Sequence, residues 1–549
     1  MRPLARALAL LPLHLAVALA VCWPLPSRLG AVLPGEVGSA LVRTVLHWRA
    51  LVTGGAAELV QAGSVQQPFG VDLLARDGLP WATALAAASG LELAQGLGVA
   101  TLVAVMVAGL AASWSVASRG VGWGGMVLAG LAWPCAGAAG ELLASGDLGR
   151  LGAFAVLPLA AAAVLRALEV GSVAWGLLAG LALALVGLSW PAAGLAVAVV
   201  GVLAVGVAVG EGRVAGVWRA SAGGLAGALS VGLIPGSWWW VNRWLRPGAS
   251  GEAVSSDAGL VHGLQVAAEH SLATPAGEAW WPAGGLVLLG LLGLGAELWR
   301  GRRREGLLWG LAALTFGILA LGPHLGSIPG PGRVLLALPG RLWTPAELGV
   351  GVELVLLLLT VGALRWLPDR LQVLGGVGMG IGLVALTMAG RGELPTTPWP
   401  PRGGGFLEVD GPVVWLPVPG GPEDPDGHGL LDAAWEDVHL VNPMAPAGQH
   451  WGQDPLASHL SRRWGPLETL SRLGDEAEPE AFSSEALGLL GQTGAVALVV
   501  DHVALGEAGE RGARVLARLE PVLGPPVLGM RYQVVPLELP ARAPMAGAP

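Results

Sequence analysis

Residues 97–117 read LGVATLVAVMVAGLAASWSVA, an unbroken run without one ionisable side chain. A helix of this length in a soluble protein carries a charged face, and this one has none. At about 1.5 Å per residue such a run crosses the ~30 Å hydrocarbon core of a bilayer. The texture recurs near 4–24, 121–139, 151–168, 172–189, 191–210, 217–236, 283–299, 306–322, 346–366 and 371–390. Composition agrees, because only 13% of the 549 residues are charged, about half the share usual in soluble domains. The sequence therefore predicts an all-α polytopic membrane domain of about 11 transmembrane helices over residues 1–390. The stretch 79–94 is apolar but short, and is expected to lie at the interface or re-enter.

The net charge of −8 gives no basic footprint for nucleic acid. All basic residues are Arg, Asn occurs only at 242 and 442, and Tyr only at 532, which is the codon bias of a GC-rich bacterial genome. The two cysteines, Cys22 and Cys135, lie in apolar stretches with no metal spacing or disulfide framework. Val21 is too bulky for a lipoprotein cleavage box at Cys22, and the first apolar run reads as an uncleaved helix rather than a signal peptide.

Orientation follows from Arg in short connections. Arg2 and Arg6, Arg119, Arg166, Arg213 and Arg219, the RGRRRE run at 300–305, and Arg365 with Arg370 all fall on one side of the expected topology. The other side has Arg150 and eight further Arg (Arg28, Arg43, Arg49, Arg76, Arg243, Arg246, Arg333 and Arg341), the eight spread over long loops at 25–95, 237–282 and 323–345. The expectation is a cytoplasmic N-terminus in the cytoplasmic (inner) membrane, with an odd span count delivering the tail outside. The first long loop is expected to hold an amphipathic helix around SALVRTVLHWRALV (39–52). Residues 391–406 form a Pro/Gly linker. Residues 407–549 are expected to form a soluble extracytoplasmic α/β or α+β domain, with strands at GPVVWLPVP (411–419), ALVVDHVAL (497–505) and MRYQVVPLEL (530–539) and a helix near 507–520.

The outward loops hold the polar residues that could do chemistry. Glu36 stands just after the first span, and Asp72 and Asp77 follow in the same loop. A carboxylate there can act as a general base if it reaches a substrate hydroxyl; the plainer readings are a solvated loop acid for Glu36 and helix capping for Asp72 and Asp77. Arg43, Arg76, Arg333 and Arg341 could grip phosphate with guanidinium forks, or simply anchor to headgroups, as could Arg49. Glu353 lies within the tenth span, where a carboxylate is costly and so a candidate for a substrate or proton role; an Arg on a neighbouring helix is its plainer partner. Trp238, Trp239, Trp240 and Trp244 read as an interfacial aromatic belt more readily than as a sugar platform. The tail histidines show no metal-helix spacing, and no metal motif is present.

Three quoted stretches, LPGEVGSALVRTVLHW (33–48), QQPFGVDLLARDGLPW (66–81) and GDLGRLGAFAVLPLAAAAVLRAL (146–168), together resemble the bacterial polytopic GT-C-type glycosyltransferases. The stretch LGPHLGSIPGPGRVLLALPGRLWTPAELGVGVEL (321–354) is similar to an outward loop and helix of that group, and the tail stretches resemble its extracytoplasmic domain. The resemblance implies a sugar taken from a polyprenyl-phosphate carrier, an acceptor hydroxyl deprotonated by a first-loop acid, and carrier phosphate held by arginines. It leaves open whether a divalent cation is used. The family's first loop carries two acids as PGDxGDA; here Glu36 matches the first and Ser39 the second. Serine cannot act as the base, so Asp72 or Asp77 would have to serve, or the chain is a non-catalytic scaffold or assembly protein. A transporter or flippase is the third reading, disfavoured because the polar residues concentrate at one surface rather than along a path through the bilayer.

Overall fold

A computed structural model describes residues 2–34, 81–231, 290–295, 303–320, 349–364, 367–391, 393–398, 411–418, 482–491, 494–524 and 531–537, with short pieces at 44–45, 47–49, 51–52, 61–62, 71–72, 324–325, 328–329, 409, 439–441, 469–470 and 472–476. By its internal contacts the chain forms two compact units, one of residues 1–36, 77–248 and 253–399, the other of 37–76, 249–252 and 400–549. Much of the first long loop thus groups with the tail.

The first unit is helical. Helices α1 (Arg2–Ala9) and α2 (Leu11–Val21) form the first span, with Pro12 in the first turn of α2, where its missing N–H costs nothing. The short strand β1 (Val32–Pro34) follows. The stretch expected at the interface forms a nine-residue helix, α3 (Trp81–Ser89). Then come α4 (Leu93–Ser118), α5 (Trp123–Ala132), α6 (Gly137–Ser145), α7 (Leu148–Val170), α8 (Val173–Ser189), α9 (Pro191–Gly210) and α10 (Val214–Val231). Later helices are α11 (Arg303–Ala320), α12 (Gly349–Leu364) and α13 (Asp369–Arg391).

Among the described residues, five helical segments are long and apolar enough to cross a membrane: Leu93–Ser118, Trp123–Ser145, Leu148–Val170, Ala192–Gly210 and Asp369–Ala389. Leu11–Val21, Val173–Ser189 and Gly349–Gly362 are shorter apolar helices. The chain is a multi-pass membrane protein.

Small residues let these helices approach closely, as close packing in lipid requires. Gly180 of α8 faces the Gly224 carbonyl of α10 so closely that a Cβ would collide with it. The expected single helix over 121–139 is instead broken. Pro134 has no N–H to continue the ladder, so α5 ends in a 3-10 turn at Trp133–Cys135 and α6 starts anew at Gly137. Trp133 props the break: its ring stacks on Phe154 of α7 at 4.4 Å and its Nε1 donates to the Phe154 carbonyl at 3.2 Å.

The two ends of the helical unit meet. Strand β1 pairs antiparallel with a segment just past α13, Val32 opposite Pro398 and Pro34 opposite Thr396, and the Leu394 amide donates to the Trp23 carbonyl at 3.0 Å. The chain therefore emerges from its first and last helices on the same side. Two-residue antiparallel pairs also occur at β2 (Gln61–Ala62) with β3 (Val71–Asp72), and at β4 (His324–Leu325) with β5 (Ile328–Pro329). The strand paired with β1 is β6 (Thr396–Pro398).

The second unit holds a four-stranded sheet built from β7 (Pro412–Leu416), β8 (His439–Leu440), β9 (Ala497–Asp501) and β10 (Tyr532–Pro536). Its order is β10-β9-β7-β8, with β7 parallel to both β8 and β9 and β10 antiparallel to β9. Helices α14 (Ser484–Gly491), α15 (His502–Glu507) and α16 (Gly509–Leu523) follow the chain around it, and Leu490, Leu505, Val515 and Leu519 share a core with Val414, Leu498 and Val500. Strand β9 is buried along its whole length, which is why ALVVD reads as a continuous apolar run ending in one acid.

Candidate functional site

The break in the span between α5 and α6 decides what surrounds Glu353. A helix start leaves its first backbone N–H groups without intrahelical acceptors, and the N-cap position here is Ala136, which has no side-chain oxygen. Glu353 supplies the acceptor from α12. Its Oε1 and Oε2 accept from the Ala138 N–H at 3.2 and 3.4 Å, with the residue only 5% exposed. Sequence reading offered an Arg as the plain partner of this acid. Among the described residues no basic side chain pairs with Glu353; its partner is a helix N-terminus, where backbone dipoles favour negative charge.

Helix α6 is also where other segments gather. It packs against β1, against α12 and against the start of α7. Its last turn ends in Gly146 at φ +68°, and Asp147 then caps α7 by accepting from the Arg150 amide at 2.9 Å while pairing with the Arg150 guanidinium at 3.2 Å. The indole of Trp81 closes the arrangement, donating from Nε1 to the Leu148 carbonyl at 2.7 Å. Gly152 lies so close beneath that indole that any Cβ would meet it.

These anchors bracket the first-loop acids in sequence. Pro34, the end of β1, stands two positions before Glu36, and Trp81 stands four after Asp77. Glu36, Asp77, Arg43, Arg76, Arg333 and Arg341 themselves lie outside the described residues, as do Ser39 and the Trp238–Trp240 cluster. For Asp72 the backbone is described, in β3 opposite Gln61. Parts of the expected amphipathic helix, residues 44–45, 47–49 and 51–52, are helical. Among the described residues no three His, Cys, Asp or Glu side chains gather as a metal site.

Sequence reading missed three features. The break at Pro134 was signalled by the WPC triplet inside an apolar run. The Trp81 anchor carried no local signal, since its acceptor lies 67 positions away. The third is a buried polar pair, His14 with Ser113, which an apolar-run reading passes over.

No family model matches the chain, and no curated protein matches it in sequence. Solved structures do. The arabinofuranosyltransferase AftD from Mycobacteria superposes with a TM-score of 0.56 at 16% identity over 91% of this chain, and its R1389S mutant with 0.52 at 17% identity over 90%. The chain shares the fold of these two structures. The chain spans only about 35% of the AftD chain it matches. ArnT from Cupriavidus metallidurans bound to undecaprenyl phosphate is similar in length, with 95% of this chain and 97% of that one covered, 15% identity and a TM-score of 0.49.

Proposed function

We propose that this protein is a GT-C-type glycosyltransferase that moves a sugar from a polyprenyl-phosphate carrier to a cell-envelope acceptor at the outer face of the cytoplasmic membrane. The observation that carries the reading is the fold shared with an arabinofuranosyltransferase over nine-tenths of the chain. Its support within the chain is the gathering of β1, α6 and Trp81 around the sequence positions that bracket the first-loop acids.

In this reading an acceptor hydroxyl loses its proton to Glu36, Asp72 or Asp77. Its oxygen bonds to the anomeric carbon, the bond from that carbon to the phosphate oxygen breaks, and polyprenyl phosphate leaves with the electron pair. Arg43, Arg76, Arg333 and Arg341 hold the phosphate, whose charge their guanidinium forks match. The N-terminus is cytoplasmic, and the tail is extracytoplasmic with the long loops.

The test is transfer from radiolabelled polyprenyl-phosphate sugars in membranes holding the full chain. Wild-type transfer lost in one of Glu36→Gln, Asp72→Asn or Asp77→Asn identifies the base. Full activity in all three sinks the proposed base. Ser39 keeps a second reading alive, that of a non-catalytic scaffold, and absence of transfer with every lipid-linked donor tried would favour it.

A further inference from the structure

Glu353 is the acid that the transferase reading leaves without a chemical step, and its surroundings give it another task. It sits 5% exposed on α12, among leucines at 354 and 356–359. Its carboxyl group is spent on the first turn of α6, where the backbone N–H groups of Ala138 and Gly137 face it. That turn needs an outside acceptor. Pro134 has broken the preceding helix, Ala136 offers no cap, and the first backbone bond of α6 runs from the Gly140 N–H to the Ala136 carbonyl. A polar backbone group left bare at such a break is costly in lipid, where no water replaces the missing partner.

The break lies on the path to the reacting region. Helix α6 packs on β1, whose Val32 and Leu33 are buried, and β1 ends two residues before Glu36. At its other end α6 hands over to Asp147 and Leu148, where Trp81 docks four residues after Asp77. A shift of α6 along its axis would therefore move both anchors of the acid-bearing loop.

We infer that Glu353 is a positioning residue whose carboxylate replaces the missing N-cap of α6 and so holds β1 and the start of α7 in register at the reacting end of the bundle. It acts through α6 and not on the substrate. Its effect on activity rests on the transferase reading; the capping itself does not.

The test uses the full chain in lipid nanodiscs with two variants. Glu353→Gln keeps an oxygen for the Ala138 N–H, whereas Glu353→Leu keeps the bulk and removes the acceptor. Amide hydrogen exchange over 137–140 is expected to speed up about tenfold in the Leu variant and to stay within about threefold of wild type in the Gln variant, the size of effect a lost helix cap produces. Transfer should follow the same order: kcat about tenfold lower in the Leu variant with donor KM unchanged, and rescue by Gln. A Gln variant as inactive as Leu with undisturbed exchange would make the carboxylate a proton-transfer group and overturn the inference. Unchanged exchange in both variants would overturn it as well. If the wild type transfers no sugar, the function proposed above fails, while the exchange ranking still decides the capping role.

Discussion

The ring of His14 on α2 presents Nε2 to the Ser113 Oγ of α4 at 3.2 Å, with both residues almost fully buried in the helical unit. The Ser113 hydroxyl already gives its one proton to the Met126 carbonyl at 2.8 Å. The ring must therefore donate from Nε2, which fixes the tautomer and leaves Nδ1 as an acceptor without a partner among the described residues. Three helices, α2, α4 and α5, meet through this one pair.

Removing Ser113 strands a buried N–H, while removing His14 strands nothing that donates. Ser113→Ala is accordingly expected to cost about 1 kcal/mol, in the range measured for hydrogen bonds between membrane helices. His14→Leu should lower stability by a different route, lost packing against Gly109 and Gly130. Thermal melting of the detergent-purified protein, read by tryptophan fluorescence, ranks the two; equal melting of Ser113→Ala and wild type would discard the tautomer assignment.

A second prediction concerns the glycine beneath that ring. A Cβ on Gly130 would run into both His14 and Ser113, so Gly130→Ala forces α2 away from α5 and should cost about 1–3 kcal/mol. Gly206 on α9 meets nothing within 4 Å, and Gly206→Ala is its control, expected to be neutral or mildly stabilising by up to about 1 kcal/mol. The same melting experiment reads both, and a Gly206 variant that melts as early as the Gly130 variant would show that helix propensity, not the close approach, governs the site.

How much of this was open to sequence reading depends on the range of the interaction. Apolar runs such as 97–117 and 191–210 announce themselves because lipid forces every backbone group into local hydrogen bonds, so the helix is encoded within its own residues. Strand β9 was legible as far as Asp501, since burial on both faces writes Val and Leu consecutively, but the strand expected over 497–505 turns helical at His502, where Asp501 caps α15. The acid of Glu353 was visible for the same reason, as a charge where charge is costly, but its partner was not. That partner is a backbone N–H 215 positions away, freed by a proline whose effect on a span depends on what can replace the lost bond. Trp81 escaped notice because an indole docking on a distant carbonyl leaves no periodic trace.

The Trp81 anchor yields a third prediction. Trp81→Phe keeps an aromatic ring over Gly152 but removes the N–H that reaches Leu148. The expected loss is about 1 kcal/mol of local stability, the net worth of one such bond. It should appear as faster hydrogen exchange over 81–89 and the first turn of α7, with the exchange of α10 unchanged. Uniformly faster exchange across the helical unit would mean the anchor supports the whole bundle rather than the end of the acid-bearing loop.

In the second unit, Asp501 is 1% exposed and triply engaged. Its Oδ1 accepts from the Val503 and Ala504 amides at 3.0 Å, and its Oδ2 pairs with the Arg531 guanidinium at 3.1 Å. Losing it uncaps α15 and leaves a guanidinium that is 29% exposed without this carboxylate. Asp501→Ala should cost about 2–4 kcal/mol, below the full penalty of a buried pair because Arg531 keeps some water. Asp501→Asn, which keeps the cap but not the charge, should cost about half as much. Limited proteolysis of the full chain in detergent measures this as the rate of cleavage within 482–537; equal rates in both variants would assign the stability to the ion pair with Arg531 and not to the cap.

The pairing of β1 with β6 supports the last prediction, which concerns sidedness. Val32 lies opposite Pro398, and a strand pair cannot form across a bilayer, so the crossings between these two segments must be even in number. Single cysteines placed at Ser39 and at Gly404, in a background where Cys22 and Cys135 are alanine, should thus react with a membrane-impermeant maleimide from the same side of intact spheroplasts. In the topology proposed from the Arg clusters at 119, 213, 219 and 300–304, that side is expected to be the outer one. Reaction of both cysteines only after lysis would keep the parity and reverse the orientation. Reaction of one before lysis and the other after would break the strand pairing itself, and with it the placement of α13 beside the first span.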